Sequence, residues 1–220
     1  MNICDYQTLV FDCDGVILDS NKVKTQAFYN AALPYGKAAA QALVDYHVAN
    51  GGISRYRKFE YFLDTLVAQH THNTAGPGLQ SLLDAYAEAV RHGLLKCAVT
   101  PGLAPLREAT PDARWLIVSG GDQAELREVF AQRGLAQMFD GGIFGSPASK
   151  DEILSGQLAS GNIRPKALFI GDSRYDHVAS SAAGLDFLFV TRWTEFPGWQ
   201  AYCQEHALTC LLAIENLLDT

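Results

Sequence analysis

Five short apolar runs, separated by stretches with helical periodicity, constrain this chain more than any other feature. Such alternation is typical of a parallel sheet with helices on both faces. Three runs, TLVF, WLIVS and ALFIG, are almost continuously apolar, as strands buried on both sides should be. The predicted strands are residues 8–12, 114–119, 141–145, 167–172 and 186–191. The predicted helices are residues 102–109, 122–133, 150–160 and 175–183, with Asp122 as an N-cap and Gly134 and Gly184 at C-caps.

One long segment lacks this alternation. From residue 21 to residue 95 the pattern is helical, with interruptions at residues 33–36, 50–52 and 72–78, which indicates a four-helix insertion. Thr100-Pro101-Gly102 marks the return to the core, and residues 211–218 are expected to form a final helix. We therefore predict an α/β fold, a Rossmann-like doubly wound parallel sheet with an inserted all-helical cap domain. The predicted core is residues 1–19 and 96–220, and the predicted cap is residues 20–95.

Composition excludes several classes of function. The net charge of −7 and the pI of about 5.3 argue against a nucleic-acid partner, although a small anionic metabolite needs only a local positive pocket. Residues 1–6 do not resemble a signal peptide, and no apolar run approaches the ~20 residues of a membrane span. Five cysteines without a CxxC pair favour reduced thiols in the cytoplasm over disulfides or zinc. His70 and His72 are expected to face solvent. The sequence gives no indication of oligomeric state.

Two carboxylates follow the first predicted strand. Asp12 and Asp14 are separated by one residue, so they project to the same side of an extended chain. In an open α/β sheet, ligands bind beyond the carboxyl ends of the strands. Two close anions repel each other unless a cation or a proton separates them, so we expect Mg²⁺ to bind there. Gly15 allows a sharp turn immediately afterwards.

Three further motifs follow in order, each at a predicted strand end or helix start. They are SGG beginning at Ser119, Lys150 at the start of a helix, and GDSRYD beginning at Gly171. Together with the DCDGVILDS string beginning at Asp12, this set resembles the haloacid dehalogenase-like hydrolase superfamily. The resemblance is to its phosphatase branch with a small helical cap, which includes phosphoglycolate phosphatase-like proteins. It extends over nearly the whole chain, and the four ordered motifs are far more specific than a lone DxD.

The resemblance implies a role for each carboxylate. Asp12 would be the nucleophile that forms an aspartyl-phosphate. Asp14 would be the general acid for the leaving oxygen and then the base for water. Asp12, the backbone carbonyl of Asp14, and Asp172 would hold Mg²⁺. Asp176 would orient metal-bound water or Lys150 rather than bind the metal, although a simple favourable charge at a helix N-terminus remains an alternative.

The resemblance also implies a phosphate-binding group. Ser119 and the amide of Gly120 would donate hydrogen bonds to the phosphoryl oxygens, and Lys150 would balance the negative charge of Asp12 and phosphate. Two departures from the usual pattern matter. Asp151 follows Lys150 where many relatives have proline, and Ser173 follows Asp172, which leaves Asp172 as the only side-chain metal ligand from its loop. Ser20 is expected to cap the next helix.

Within the predicted cap, the stretch GGISRYRK beginning at Gly51 is unusual. Arg55 and Lys58 lie three residues apart and would share a helix face. They are candidates for binding the non-reacting part of the substrate, and the alternative is a solvated pair near Glu60 and Asp64.

The expected activity is Mg²⁺-dependent hydrolysis of a small phosphate monoester, either a sugar phosphate or a phosphoglycolate-like acid. Two alternatives remain open. A phosphomutase of the same superfamily would use the same aspartates but return the phosphoryl group to its substrate. A non-catalytic phosphate-binding regulatory module would bind the same ligand without turnover.

Overall fold

The computed structural model describes residues 2–71 and 75–219, and His72 lies outside these ranges. Six strands form one parallel sheet in the order β3-β2-β1-β4-β5-β6. This is the strand order of a doubly wound Rossmann sheet, so the predicted fold class is confirmed. The strands are β1 Thr8–Phe11, β2 Arg114–Asp122, β3 Gly142–Ser146, β4 Ala167–Gly171, β5 Asp186–Val190 and β6 Thr209–Leu211.

The centre of the sheet is fully covered on both faces. Strand β1 lies between β2 and β4, with Phe11 in register with Ile117 on one side and Ile170 on the other. All four β1 residues are buried, as are all five of β4. Phe11 packs on Trp115 with their ring centroids 4.8 Å apart. Burial on both faces explains why these strands are continuous apolar runs rather than alternating ones.

Helices account for the long segment between β1 and β2. Strand structure is absent from its described part, residues 21–71 and 75–96. The helix α3 passes through a π-helical turn, Phe62–Leu66, directly into α4. Phe28, Phe59 and Tyr86, from three of the helices, form an aromatic cluster that joins them. The helices are α1 Asn21–Ala32, α2 Lys37–Ala49, α3 Arg55–Tyr61, α4 Val67–His70 and α5 Leu79–Lys96.

The remaining helices connect the strands. Asp122 caps α7 as expected, because its side chain accepts from the amide of Glu125. Gly134 and Gly184 have the positive φ values, 66° and 72°, expected of residues that end helices. No helix among residues 2–71 and 75–219 is both long and apolar enough to cross a bilayer. These helices are α6 Leu103–Ala109, α7 Gln123–Gln132, α8 Lys150–Ala159, α9 Arg174–Ala182 and α10 Trp199–Glu205.

The C-terminal region differs from the prediction. The helix expected over residues 211–218 is wrong at its start, because Thr209–Leu211 forms β6 at the edge of the sheet. A 3-10 helix, Ile214–Asp219, follows it. Helix α10 was also not predicted. Short apolar runs are compatible with either strand or helix, and here pairing of Cys210 with Phe189 decides between them.

Candidate active site

The predicted motifs meet at one edge of the sheet. Asp12 follows β1, Asp172 follows β4, and Gly120 lies near the end of β2. Because parallel strands all end at the same edge, residues distant in sequence come together there. All three line one cavity of about 340 Å³ between the sheet edge and the helices that follow β1.

Asp12 and Lys150 form the buried centre of the site. Lys150 Nζ lies 2.9 Å from Asp12 Oδ1 and is hydrogen-bonded to Asp176 Oδ1. The exposed fraction of the Lys150 side chain is 0% and that of Asp12 is 5%. Burial opposes the charged form of Lys150, but the two carboxylates overcome it and raise its pKa. Burial raises the pKa of Asp12 to about 7, assisted by Asp176 and Asp14 and opposed by Lys150.

Asp176 is positioned by the start of its own helix. Its Oδ2 accepts a 2.7 Å hydrogen bond from Ser173 Oγ and a 3.1 Å bond from the amide of Ser173, forming a capping box at α9. Its Oδ1 faces Lys150. Asp176 therefore caps α9 and contacts Lys150, and its role in orienting Lys150 stays a prediction.

Three carboxylates at this edge suit a divalent cation. Asp12, Asp172 and Asp176 each place an oxygen within 4.8 Å of the others. Burial first, and then repulsion from Asp12 and Asp176, raises the pKa of Asp172 well above its usual value. Buried carboxylates packed this closely are what a hard cation such as Mg²⁺ would neutralise, so these residues fit the metal.

Gly15 and Asn21 shape the metal-binding side of the site. Asn21 Nδ2 donates to Asp172 Oδ2 at 2.9 Å and to the carbonyl of Trp193, so it fixes the rotamer of Asp172. Gly15 has φ +77°, and a side chain there would overlap both Asp172 Oδ2 and Asn21 Nδ2. Sequence analysis did not identify Asn21, whose contact spans 151 positions of the chain.

Asp14 has a partner that sequence analysis missed. Lys24 Nζ lies 2.5 Å from Asp14 Oδ2, and Ser20 Oγ donates to Asp14 Oδ1 at 2.6 Å. Burial acts to raise the pKa of Asp14, but Lys24 outweighs it and holds that pKa below its usual value. The expectation that Ser20 caps α1 is wrong, because its side chain makes no capping bond. Ser20 directly precedes α1 and Lys24 follows it by one helical turn, so the start of α1 places both groups beside Asp14.

Two of the predicted phosphate-binding residues, Ser119 and Gly120, lie near the end of β2, the strand that pairs with β1. Ser119 is fully buried, and its Oγ accepts a 3.0 Å hydrogen bond from the amide of Gly121. Gly120 lines the cavity, and a Cβ there would overlap the carbonyl oxygen of Gly52. Gly120 therefore permits close approach of the helical segment, the helices α1 to α5 between β1 and β2, to the sheet edge.

Arg55 connects the helical segment to the sheet side of the cavity. Its Nη1 lies 3.0 Å from Glu125 Oε2, and its Nη2 lies 3.6 Å from Asp122 Oδ2. Tyr56 adds a 2.8 Å hydrogen bond to the same Asp122 oxygen. The Arg55 side chain is only 10% exposed, so the alternative of a solvated residue is wrong. Its guanidinium is already paired, which favours a linking role over the predicted contact with substrate.

Lys58 also lies in the cavity wall, and it has a different environment. It is 2% exposed, which again contradicts the solvated alternative. Its Nζ lies 2.7 Å from Nδ1 of His47 and 5.5 Å from the centroid of the Phe28 ring. Burial first, and then Lys24, lowers the pKa of Lys58 to about 7. Lys58 and Arg55 share the buried face of α3, as their spacing predicted.

Comparison with known proteins is consistent with this geometry. The sequence pattern of the haloacid dehalogenase-like hydrolases matches residues 6–184. The chain belongs to this family, and its hydrolase class follows from that membership. Among curated protein sequences, none matches the chain.

Several solved structures share the fold. A predicted phosphatase from Clostridium acetobutylicum is 17% identical, with 97% of each chain covered and a TM-score of 0.71. A predicted phosphoglycolate phosphatase from Haemophilus somnus is 15% identical, with 99% of this chain and 98% of that one covered and a TM-score of 0.73. A candidate β-phosphoglucomutase from Thermotoga maritima is 16% identical, with 97% of each chain covered and a TM-score of 0.64. At these identities the likeness concerns the fold.

Proposed function

We propose that this protein is a Mg²⁺-dependent phosphatase that hydrolyses a small phosphate monoester through an aspartyl-phosphate on Asp12. The observation that carries the proposal is the buried group of Asp12, Lys150, Asp172 and Asp176, of which Asp12 and Asp172 line the cavity. A nucleophilic carboxylate beside a buried ammonium and a carboxylate-rich cation site suits phosphoryl transfer, which depends mainly on positioning and charge neutralisation. The helices α1 to α5 would act as the cap, with residues 20–95 as its proposed extent.

The first step breaks the substrate's P–O ester bond. A carboxylate oxygen of Asp12 attacks phosphorus, the ester oxygen leaves with the bonding electrons, and a proton from Asp14 neutralises it. Lys150, with Ser119 and the Gly120 amide, would hold the phosphoryl oxygens. When bound at Asp12, the Asp14 carbonyl and Asp172, Mg²⁺ supplies positive charge that favours attack by one anion on another.

The second step releases inorganic phosphate. Ionised Asp14 takes a proton from a water molecule while the oxygen of that water attacks phosphorus. The bond between phosphorus and Asp12 breaks, which returns Asp12 to its carboxylate form. Lys24 and Ser20 favour the ionised state of Asp14 that this step needs. For the first step, Asp14 must carry a proton and turn from Lys24 towards the cavity. Its hydrogen bonds to α1 would therefore change during the cycle.

The test is Mg²⁺-dependent release of phosphate from p-nitrophenyl phosphate by the wild type and by Asp12→Asn. The amide is nearly isosteric with the carboxylate but is a poor nucleophile, so we expect turnover to fall by at least about a thousandfold while the variant still folds cooperatively. An Asp12→Asn variant that retains a substantial fraction of the activity would refute the covalent mechanism. Absence of turnover by the wild type on any phosphate monoester would favour the binding module.

A phosphomutase is the second candidate, because the links from Arg55 and Tyr56 to Asp122 hold the helical segment over the cavity. A covered site protects an aspartyl-phosphate from water, as a mutase requires. The two candidates differ in products. A phosphatase releases phosphate stoichiometrically, whereas a mutase converts a hexose 1-phosphate into its 6-phosphate and requires a bisphosphate activator.

A further inference from the structure

Three buried cations from the helical segment line the cavity. Lys24 is paired with Asp14, and Arg55 with Glu125. Lys58 is the exception, because no carboxylate of residues 2–71 and 75–219 lies within ion-pair distance of it. Buried ammonium groups are strongly disfavoured without a counter-charge. Lys58 nevertheless lies within the cavity wall at 2% exposure.

The neighbour of Lys58 does not neutralise it. Burial first, and then the charges of Lys58 and Lys24, hold the pKa of His47 well below its usual value. His47 is therefore neutral at physiological pH. When Lys58 is protonated its ammonium can only donate, so Nδ1 of His47 then accepts and the ring proton lies on Nε2. An imidazole N–H and the remaining ammonium N–H groups are all donors, so this corner of the cavity offers several donors to an entering acceptor.

The surroundings of Lys58 are asymmetric in charge. Three charged groups act on it from other elements, and two of them, Lys24 from α1 and Lys150 from α8, are cations. Asp14 is the only anion of the three, and it is already bound to Lys24. An anion that enters the cavity beside Lys58 would therefore relieve repulsion and also accept hydrogen bonds from these donors.

We infer that Lys58 and His47 form a subsite for a second negatively charged group, carboxylate or phosphate, at the non-reacting end of the substrate. The inference rests on the proposed phosphatase function and narrows it, because a neutral sugar phosphate lacks such a group. It also assigns different roles to the two cations of α3. Lys58 binds the substrate, and Arg55 links α3 to Asp122 and Glu125.

The experiment uses alkyl phosphates two to five carbons long, each made with a terminal carboxylate, a terminal phosphate or a terminal hydroxymethyl group. We expect the wild type to prefer an anionic form over its hydroxymethyl counterpart by at least about tenfold in kcat/KM, chiefly through KM. The carboxylate and phosphate forms distinguish which anion fits. In Lys58→Met the preference should fall towards unity. Lys22→Met is the matched control, because Lys22 is exposed on α1, and it should retain the wild-type preference.

Binding to Asp12→Asn, measured by calorimetry with the same phosphates, provides a readout independent of turnover. The anionic forms should bind at least about tenfold more tightly than the hydroxymethyl forms, and Lys58→Met in the same background should remove the difference. Equal binding of both forms, or a preference that survives Lys58→Met, would overturn the subsite. If the binding preference is present but no phosphate is released, the subsite stands and the proposed phosphatase function fails.

Discussion

Replacing Lys58 by methionine should stabilise the fold while it weakens substrate discrimination. Lys58 is buried beside a neutral histidine and lacks a carboxylate among the described residues, so its charge opposes folding. Methionine is similar in length, is apolar and adapts to irregular packing. A fold that carries an unpaired buried charge for binding is expected to be less stable than the same fold without that charge.

The pKa of Lys58 gives the magnitude. It falls from 10.5 to about 7 in the folded protein. At about 1.4 kcal/mol for each pH unit, this difference corresponds to at most about 5 kcal/mol of unfavourable ionisation. Relaxation around the charge and the lost hydrogen bond to His47, about 1 kcal/mol, reduce the gain. We therefore expect Lys58→Met to increase the free energy of unfolding at pH 6 by about 1–3 kcal/mol.

The effect has a defined pH dependence. Between pH 7 and 10.5 the unfolded chain holds a proton on Lys58 that the folded protein has lost, so wild-type stability gains from rising pH in this window. The advantage of Lys58→Met should therefore be largest below pH 7 and shrink towards pH 10. Urea denaturation of the wild type, Lys58→Met and Lys22→Met at pH 6 and pH 9 measures it. A destabilised Lys58→Met at pH 6, or a pH-independent difference, would refute the reasoning.

Further predictions concern the metal, the link at α3 and the pH profile. In chelator, Asp172→Asn should raise the unfolding temperature, because Asp172 and Asp12 then no longer repel each other. The variant should also lose the rise in unfolding temperature that Mg²⁺ gives the wild type, and an unchanged response to Mg²⁺ would exclude this site. Phosphatase activity should require Mg²⁺ and be inhibited by Ca²⁺, whose looser coordination would engage both oxygens of Asp12; full activity of verified metal-free protein would contradict this. Arg55→Ala should reduce kcat/KM by roughly tenfold for anionic and hydroxymethyl substrates alike, since the lost link to Glu125 affects closure; a selective loss on anionic substrates would restore Arg55 as a substrate-binding residue. For anionic substrates, kcat/KM should decline as pH rises through about 7, the pKa of Lys58, because Lys58 then loses its positive charge. A decline of the same size in Lys58→Met would show that another group causes the decline.

The sequence was sufficient for the features that depend on local pattern. Apolar runs predicted five of the six strands, because strands buried on both faces must be apolar along their length. Helix caps at Asp122 and Gly134 could be predicted from residue type, because capping involves only nearby backbone. The order of the motifs from Asp12 to Asp176 also indicated the family, and with it the residues proposed here as the catalytic group.

Tertiary structure alone decided the partners of the charged residues. Asp14 was predictable from its motif, but its pairing with Lys24 depends on how α1 returns across the site. Arg55 and Lys58 are equivalent in a helical pattern, yet Arg55 meets Asp122 at the end of β2 and Glu125 of α7, whereas Lys58 meets a neutral histidine of α2. The energy of a buried charge depends on the groups within a few ångströms of it, and those groups come from other elements of the fold. Only the packing of the helices therefore shows that Arg55 links two elements of the fold, whereas Lys58 is a candidate anion-binding residue.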